Sequence, residues 1–339
     1  MDFSINSLQC VQLVRADSGL ELVKHSITEF ERPRSELFSH PEELRKLVKS
    51  AIRSGFSGNR AVVSMPPGKV RLSSIQYRLE KDQHHDAAII KAMESRMNTG
   101  LKNAVVDYIP IGNRDKQGNH VALVAAADRQ EVIEFLELLR QCGLRIESLE
   151  IGPVALARLI NHTYCQHDHD NVLVLNFAKS HSYLSCLAGG KLLFDQETKV
   201  GEDKVLDALA DYMGGGREMI SDMLEQGGLD LLARAGLNIT EEEDKREFDE
   251  LVEKVFSDLL PSINRALIYS ASETRGEPVR CVYILGALAR WPGVEQTLFK
   301  TLKIPMVRPD PLADMGLCEK DPNNGVHFAL ATGLALRGL

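Results

Sequence analysis

Residues 162–170 concentrate side chains that could bind a metal ion. Six of these nine positions are imidazole, thiol or carboxyl groups: His162, Cys165, His167, Asp168, His169 and Asp170. Zinc accepts all three ligand types. The stretch nevertheless lies between a predicted helix and a predicted strand, and it lacks the paired spacing of structural zinc sites. The sequence therefore favours a solvated polar loop, with a metal site as the alternative.

The run Met213-Gly214-Gly215-Gly216-Arg217 has the glycine content of a phosphate-binding loop. Such loops follow a strand and end in Gly-Lys-Ser or Gly-Lys-Thr, whereas this run follows a predicted helix. It therefore predicts a helix end and a flexible link. The chain contains no Gly-x-Ser-x-Gly, His-Glu-x-x-His or P-loop sequence. The motifs thus nominate no catalytic residue and no metal ligand.

The composition is that of an ordinary globular protein of 339 residues, with 44% hydrophobic and 26% charged residues. Forty basic against 48 acidic residues give a formal charge of -8, which argues against nucleic-acid binding because that needs a basic face. The six cysteines form no Cys-x-x-Cys pair and are expected to be core thiols in a reducing compartment. No apolar run reaches 18 residues and no signal peptide is evident. We therefore expect a cytoplasmic protein that reaches a membrane only through a partner.

The first 65 residues have the pattern of one α/β unit. Apolar residues predict strands around Val11 and from Leu20 to Ile27, joined by a turn at residues 17–19. Pro41 begins a helix that Gly55 ends. Residues 61–63 then form a buried strand.

Residues 69–152 have their own repeating pattern. The predicted order is strand, helix, strand, strand, helix, strand, at residues 70–79, 86–97, 104–111, 121–126, 132–139 and 144–151. This order is typical of a small split α/β domain. Because its flanks continue the first unit, we interpret it as an insertion.

The second half begins again with a strand hairpin. The predicted strands are residues 172–175, 183–187 and a third through Phe194, followed by helices at 203–212 and 217–225. A single long helix is predicted from Glu243 to Ser272, kinked at Pro261. A buried strand at residues 281–285 then leads into Gly286. The two halves therefore have a similar order of strands and helices.

This plan of two related lobes, each opening with a hairpin turn and only the first carrying an insertion, resembles the actin-like (ribonuclease H-like) fold. In that fold, the glycine of each Asp-x-Gly turn lets backbone amides bind the phosphates, and the aspartate binds the metal ion. A later glycine-rich turn lets the adenosine lie close to the main chain. The corresponding segments here are residues 2–9, 176–182 and 286–293. The candidate nucleotide-binding positions are Asp2, Ser4, Ser7, Gln9, Asn176, Ala178, Ser180, Ser182, Gly201, Gly286 and Ala287.

Other stretches are similar to the PilM family, the FtsA-like cytoplasmic proteins of type IV pilus assembly. They are residues 124–127, 129–132, 143–144, 292–293, 304–305, 309–311 and 328–338. The resemblance implies a first actin-like lobe at residues 1–67 and 152–170. It implies an inserted FtsA-like domain at residues 68–151 and a second lobe at residues 171–339.

The family resemblance also implies a function. Its members bind ATP between the lobes and capture the N-terminal tail of a PilN-like inner-membrane protein in a groove between the inserted domain and the first lobe. They couple the membrane platform of a pilus or type II secretion-like machine to motor ATPases. For this chain the groove would be bounded by residues 70–79 and the neighbouring helices.

The nucleotide turns depart from that family pattern. Ser4 replaces a glycine and Gln9 a lysine, Asn176 replaces the second aspartate and Ala178 its glycine, and Ala287 stands where a second glycine is usual. Magnesium favours carboxylate ligands, and phosphoryl transfer depends on positioned charge. We therefore expect ATP and magnesium binding to be weak or absent and hydrolysis to be very slow at most. Trp291 is expected to pack in the core rather than against adenine.

Two alternatives remain within this fold. One is an ATP-dependent sugar or acetate kinase, against which stand the altered turns and the lack of a carboxylate that could act as base. The other is an FtsA-like filament-forming protein. The sequence does not decide whether the chain self-associates.

Overall fold

The computed structural model describes residues 1–4, 6–32, 34–66, 68–80, 83–96, 103–111, 119–165, 170–236, 242–321 and 325–339. The chain divides into two compact units. The first comprises Met1–His162, Lys191–Asp195 and Leu330–Leu339. The second comprises Thr163–Gly190 and Gln196–Ala329. The division into lobes with an insertion at residues 68–151 remains a prediction.

The first unit alternates strands and helices. Its strands are β1 (Asp2–Phe3), β2 (Ser7–Ala16), β3 (Gly19–Glu29), β4 (Arg60–Ser64), β5 (Val70–Tyr77), β6 (Ala104–Ile111), β7 (His120–Asp128) and β8 (Arg145–Glu150). Its helices are α1 (Arg34–Leu37), α2 (Pro41–Arg53), α3 (His85–Arg96), α4 (Arg129–Gln141) and α5 (Gly152–Thr163). The predicted hairpin is confirmed by the pairing of Ala16 with Gly19. Helix α2 begins at Pro41, where a missing N–H costs nothing, and buries Leu44, Leu47, Val48 and Ala51.

The strands of the first unit form three sheets. Their orders are β1-β2-β3, β5-β7-β6 and the parallel pair β4-β8. The predicted order of elements from residue 69 to residue 152 is therefore confirmed, but the last strand is not part of the β5-β7-β6 sheet. β8 pairs with β4 instead, and its half-buried Ile146 and Leu149 pack against the core that contains Ala61 and Val63 of β4. Sequence order alone could not show which sheet β8 joins.

Two apolar cores hold the first unit together. In the larger core, three rings meet edge to face: Phe3 of β1, Phe38 and Phe135 of α4, with centroids 5.1–6.5 Å apart. Such pairs are favourable beyond the area that they bury. The smaller core lies between α3 and one face of the β5-β7-β6 sheet, where Ile89 and Met93 meet Ile75. Helix α3 therefore covers only one of the two faces of this sheet.

From residue 171 onward the chain forms a five-stranded sheet and seven helices among the described residues. The strands are β9 (Asn171–Phe177), β10 (Ser182–Ala188), β11 (Lys191–Thr198), β12 (Val279–Gly286) and β13 (Met306–Val307), in the order β11-β10-β9-β12-β13. The helices are α6 (Glu202–Met213), α7 (Arg217–Leu231), α8 (Glu242–Ser257), α9 (Leu260–Glu273), α10 (Val294–Leu302), α11 (Pro311–Asp314) and α12 (Ala329–Ala335). β9 runs antiparallel to β10 and parallel to β12.

The single long helix predicted from Glu243 to Ser272 is wrong. The helix ends at Ser257 and a second begins at Leu260, with Pro261 in its first turn. A proline ring is compatible with a first turn but removes a hydrogen bond inside a helix, so the chain breaks before Pro261 rather than bending at it.

The helix end predicted at the glycine run is confirmed. Gly214 adopts a left-handed conformation (φ 64°) after α6, and Gly216 precedes α7. Trp291 is fully buried, as predicted. All six cysteines are free thiols; Cys10, Cys142, Cys186 and Cys281 are buried, whereas Cys165 and Cys318 are half-buried. Over the part of the chain that is described, no helix has the length and apolarity needed to cross a membrane.

A buried carboxylate fixes the end of β8. The side chain of Glu150 is 3% exposed and receives two hydrogen bonds from the Arg158 guanidinium of α5, at 2.8 and 2.7 Å. Arg337, near the end of the chain, also pairs with it. Arg158 further donates to the carbonyl of Gly333 at 2.7 Å. One ion cluster therefore joins β8, α5 and the C-terminal segment within the first unit.

Replacing Arg158 with Met should lower the free energy of unfolding by about 3 kcal/mol, because it leaves a buried carboxylate with one exposed partner. Adding Glu150→Gln should recover part of this loss, since the buried group is then neutral. Urea denaturation measures both effects. The control is Arg60→Met, whose 2.9 Å pair with Glu147 also involves β8 but leaves Arg60 70% exposed. It should cost less than about 1 kcal/mol, and an equal loss in both single variants would contradict the assignment.

Candidate functional site

The first predicted turn is a tight hairpin of the first unit. Asp2 pairs with Gln9 across β1 and β2, and the amide of Ser4 donates to the carbonyl of Ser7 at 2.9 Å. Asp2, Ser7 and Gln9 are buried, with 3–6% of each exposed. Ile5, in the same turn, lies outside the described residues. The structure therefore brings together the four candidates predicted in this segment.

The carboxylate of Asp2 sits in a largely apolar setting. The Ser64 hydroxyl of β4 donates to it at 3.4 Å. Burial raises the pKa of Asp2, while the charge of Arg34, which also donates to the Phe3 carbonyl at 3.0 Å, acts in the opposite direction. Gln9 donates to Ser7 at 3.3 Å. Ser64 and Arg34 were not predicted, because they come from other parts of the sequence and carry no local signal.

The second predicted turn is the β9–β10 hairpin of the second unit. Phe177 pairs with Ser182, and the Ala178 amide donates to the His181 carbonyl at 2.9 Å. The hydroxyl of Ser182, which is fully buried, donates to the carbonyl of Val200. The hydroxyl of Ser180 is hydrogen-bonded to Nδ1 of His181 at 2.8 Å. The polar groups of this turn that were predicted to face a phosphate therefore already have partners within the protein.

Gly201 lies where the second turn meets helix α6. A Cβ atom there would stand 2.3 Å from the His181 nitrogen and 2.4 Å from the Ser180 carbonyl carbon, far inside van der Waals contact. The amides of Glu202 and Asp203, first in α6, donate to the carbonyls of Ala178 and Lys179 at 3.1 and 2.8 Å. Free amides at a helix start are what an anion needs, so these two donors are not available to a phosphate.

The third predicted turn follows β12. Gly286 has a φ of 79°, and a Cβ there would stand 2.1 Å from the Phe177 carbonyl oxygen and 2.6 Å from Oδ1 of Asn176. The following Ala287, Leu288 and Ala289 are buried. The second and third turns thus meet at the carboxyl ends of the parallel strands β9 and β12. The seven candidates of the second unit all belong to this end of the sheet.

These second-unit turns do not fit a nucleotide phosphate. The first two amides of α6 and the hydroxyls of Ser180 and Ser182 are engaged, and the first turn of α6 carries the acids Glu202 and Asp203. Carboxylates at a helix start satisfy its positive end and would repel a phosphate. Asn176, packed against Gly286, supplies no charge for a metal ion.

The described candidate metal ligands between residues 162 and 170 do not form a cluster. His162 is exposed, and Asp170 pairs with Arg280 at 3.4 Å. Burial, followed by the charge of Asp170, raises the pKa of the Cys165 thiol to about 11, so the thiol stays protonated at neutral pH and is a poor ligand. His167, Asp168 and His169 lie outside the described residues. Elsewhere in the described ranges no three metal-ligating side chains come together.

The β5-β7-β6 sheet of the first unit has a second face that is only partly covered. Residues paired across an antiparallel ladder share a face, and one such face carries the rows Val70-Ala127-Val105, Leu72-Ala125-Asp107 and Ser74-Leu123-Ile109. Leu72, Ala125 and Ile109 are half-buried, and Val105 is 40% exposed. We call this surface the open face.

Helix α4 borders the open face. It contacts β6 and β7, and its Phe135 belongs to the core cluster against which Val70 packs. Lys69 joins the same border by its pair with Glu131 of α4 at 2.5 Å. Ile133 of α4 is 51% exposed. The open face therefore lies beside α4, within the segment where the family resemblance implies a peptide groove.

The outer edge of β6 is protected against an added strand. The Tyr108 amide donates to the Asp107 carboxylate at 2.8 Å, and Pro110, which has the same orientation in the ladder, has no N–H. Charged side chains and prolines are common ways of blocking an exposed edge. An added strand is therefore not expected to extend the sheet at β6.

Replacing Gly201 with Ala should lower the free energy of unfolding by about 2–3 kcal/mol, because the methyl group has no space. Gly216→Ala is the matched control: Gly216 also precedes a helix, but a Cβ there meets nothing within 4 Å. Its cost should stay below about 1 kcal/mol. Thermal denaturation of the two variants tests the difference, and equal losses would contradict the close approach at Gly201.

A comparison with protein families finds one match that spans the chain. A family model described as type IV pilus assembly protein PilM matches residues 1–339. None of the curated proteins matches the chain. Among solved structures, the chain is similar to one titled PilM-PilN type IV pilus biogenesis complex, with a TM-score of 0.72, 20% identity, and coverage of 99% of this chain and 97% of that chain.

It is also similar to the ethanolamine utilization protein EutJ from Carboxydothermus hydrogenoformans, with a TM-score of 0.55, 12% identity, and coverage of 99% of this chain and 88% of that chain. At these identities the two structures show the fold, which is the predicted actin-like α/β fold with two lobes. Because the family model covers the chain from its first to its last residue, the chain belongs to the PilM family of type IV pilus assembly proteins.

Proposed function

We propose that this chain is an adaptor of type IV pilus assembly, or of a type II secretion-like machine, that binds the N-terminal cytoplasmic tail of a PilN-like inner-membrane protein. The observation that carries the proposal is the open face of the β5-β7-β6 sheet, bordered by α4. The similarity to a structure titled as a PilM-PilN complex supports the choice of partner.

The open face suits an extended apolar segment. Val105 of the open face is 40% exposed and offers apolar area, and Leu72 and Ala125 of the same face are half-buried. Peptides bound in this way gain affinity from a few buried side chains. For so small an interface we expect a dissociation constant in the range of about 1–50 μM.

We further propose that the protein lies in the cytoplasm and reaches the inner membrane through this partner. Contacts with the pilus motor ATPases would follow from such a position. The work of the protein is then to hold or brace the partner tail, which needs a stable surface and no chemical step. Under this proposal the protein is not an enzyme, or is at most a very slow ATPase.

Nucleotide binding is proposed to be weak or vestigial. Its support is the buried state of Asp2, the engaged donors beside Gly201 and the neutral Asn176. A kinase of the same fold would need a charged phosphate site and a base, and a filament-forming protein would change its light scattering when nucleotide is added. Both alternatives are therefore open to direct measurement.

Titration calorimetry with a synthetic peptide of the partner tail tests the adaptor proposal. We expect micromolar binding with the same affinity in the presence and absence of magnesium-ATP. Val105→Asp should weaken binding at least about tenfold, because it places a charge on the open face against an apolar segment.

The matched control is Ile90→Asp, since Ile90 is 45% exposed on α3, which packs against the other face of the same sheet. This variant should bind like the unmodified protein. Absence of peptide binding together with tight ATP binding and turnover would rule out the adaptor. Equal losses in the two variants would move the binding surface away from the open face.

A further inference from the structure

Arg290 is the most heavily engaged side chain of the third turn. Its Nε donates to the Ala287 carbonyl at 3.0 Å, one terminal nitrogen donates to Glu202 at 2.7 Å, and the other pairs with Glu225 at 2.7 Å. Only 20% of the Arg290 side chain is exposed. Arg290 therefore connects the third turn to the start of α6 and to α7.

The charges around Arg290 depend on one another. The Glu202 side chain is 10% exposed. Burial raises its pKa and the charges of Glu225 and Asp203 act the same way, whereas Arg290 opposes them. A buried carboxylate without a counter-ion is strongly destabilising. Arg290 is thus the group that lets Glu202 remain ionised in the folded protein.

The remaining surface of the turn is occupied by the protein itself. Leu288 and Trp291 are fully buried. The amides of Glu202 and Asp203 are engaged by carbonyls of the second turn. Of the polar groups around the turn, the amides of Glu202 and Asp203 thus have partners within the protein, whereas the buried Nε1 of Trp291 has none.

We propose that the second unit is a self-occupied ligand site, in which Arg290, bound by Glu202 and Glu225, takes the structural place of a bound nucleotide and fixes the third turn to helices α6 and α7. This goes beyond the partner proposal, because it holds whichever peptide the open face binds. The two can fail separately, since the peptide is bound by the first unit and Arg290 acts in the second.

The proposal follows from competition for one cation. An incoming triphosphate would meet the carboxylates of Glu202 and Glu225, which share Arg290 as counter-ion, and that of Asp203, which pairs with Arg217 at 3.3 Å. To gain Arg290 the phosphate would have to leave Glu202 buried and unpaired. The intramolecular pair needs no ordering of a second molecule, so it is favoured over the ligand.

The first test is thermal unfolding of the complete chain with and without 2 mM magnesium-ATP. This concentration is about 100 times the dissociation constant of a ligand that binds at about 20 μM. Such a ligand would raise the Tm by about 5 °C or more. We expect no shift. A rise of this size in the unmodified protein would overturn the proposal.

The second test is Arg290→Met. At pH 7.5 we expect the Tm to fall by about 5–10 °C, and we expect the deficit to shrink at pH 5.5, because Glu202 then takes up a proton and a neutral carboxyl tolerates burial. Protonation of His327 should also make the Tm deficit of Arg290→Met smaller at pH 5.5. Burial, and then the charge of Arg290, lowers the pKa of His327 to about 4, with Asp321 opposing, so losing Arg290 lets this imidazole accept a proton at less cost.

The controls separate this role from a general loss of packing. Arg246→Met removes an exposed pair with Glu250 (80% and 64% exposed) and should change the Tm by less than about 2 °C at both pH values. Where Arg290→Met does not fold, the double variant Arg290→Met/Glu202→Gln should, because no buried charge remains. A deficit of Arg290→Met that is the same at pH 7.5 and 5.5 would overturn the proposal.

Discussion

The buried carboxylate of Glu150 is the constraint on which the first unit depends. An ionised group that is 3% exposed persists only with paired donors, and these come from α5 and from the C-terminal segment. Residues distant in sequence must therefore meet at the end of β8 before the unit is complete. β8 follows the β5-β7-β6 sheet in the chain and pairs with β4, so the ion cluster at Glu150 also stabilises the position of the β4-β8 pair. The β5-β7-β6 sheet, which carries the open face, is therefore followed by a strand whose position depends on the buried Glu150.

The two units differ in how far contacts within the chain satisfy the surfaces described above. In the first unit, an apolar sheet face stays partly exposed although α3 covers its opposite side. In the second unit, the donors at the ends of β9 and β12 are engaged by neighbouring carbonyls and carboxylates. A surface that binds a peptide gains from unburied apolar area, whereas a surface that must keep its shape gains from satisfied polar groups.

Local pattern predicted most elements, because burial on one side imposes a period of two or 3.6 residues. The hairpin at residues 17–19, the helix from Pro41 and the glycine run after α6 were found in this way. Pairing between distant segments has no such period: β8 has the same alternation whether it joins β4 or β7. The break before Pro261 was missed because the apolar period continues across it, and only the proline geometry decides between a kink and a new helix.

Of the candidate site, the sequence could place the turns but not the partners of their residues. Asp2 and Gly286 were found because their segments occur in the order that the resemblance to the actin-like fold implies. Arg34, Ser64 and Glu202 were not, since each comes from another element and acts through a contact made only on folding.

The two glycines that most resemble a nucleotide site have a reason to be glycine that involves no ligand. At Gly201 and Gly286 a side chain would overlap backbone atoms of the second turn, which approach to 2.3 and 2.1 Å of the Cβ position. Close packing of two main chains at parallel strand ends suffices to require glycine there. At Ala178 and Ala287 of the same turns the chain carries a methyl group, so the fold does not require glycine at those two positions. Glycine at these turns is therefore evidence for the fold, while a ligand must be argued from unengaged donors and from charge.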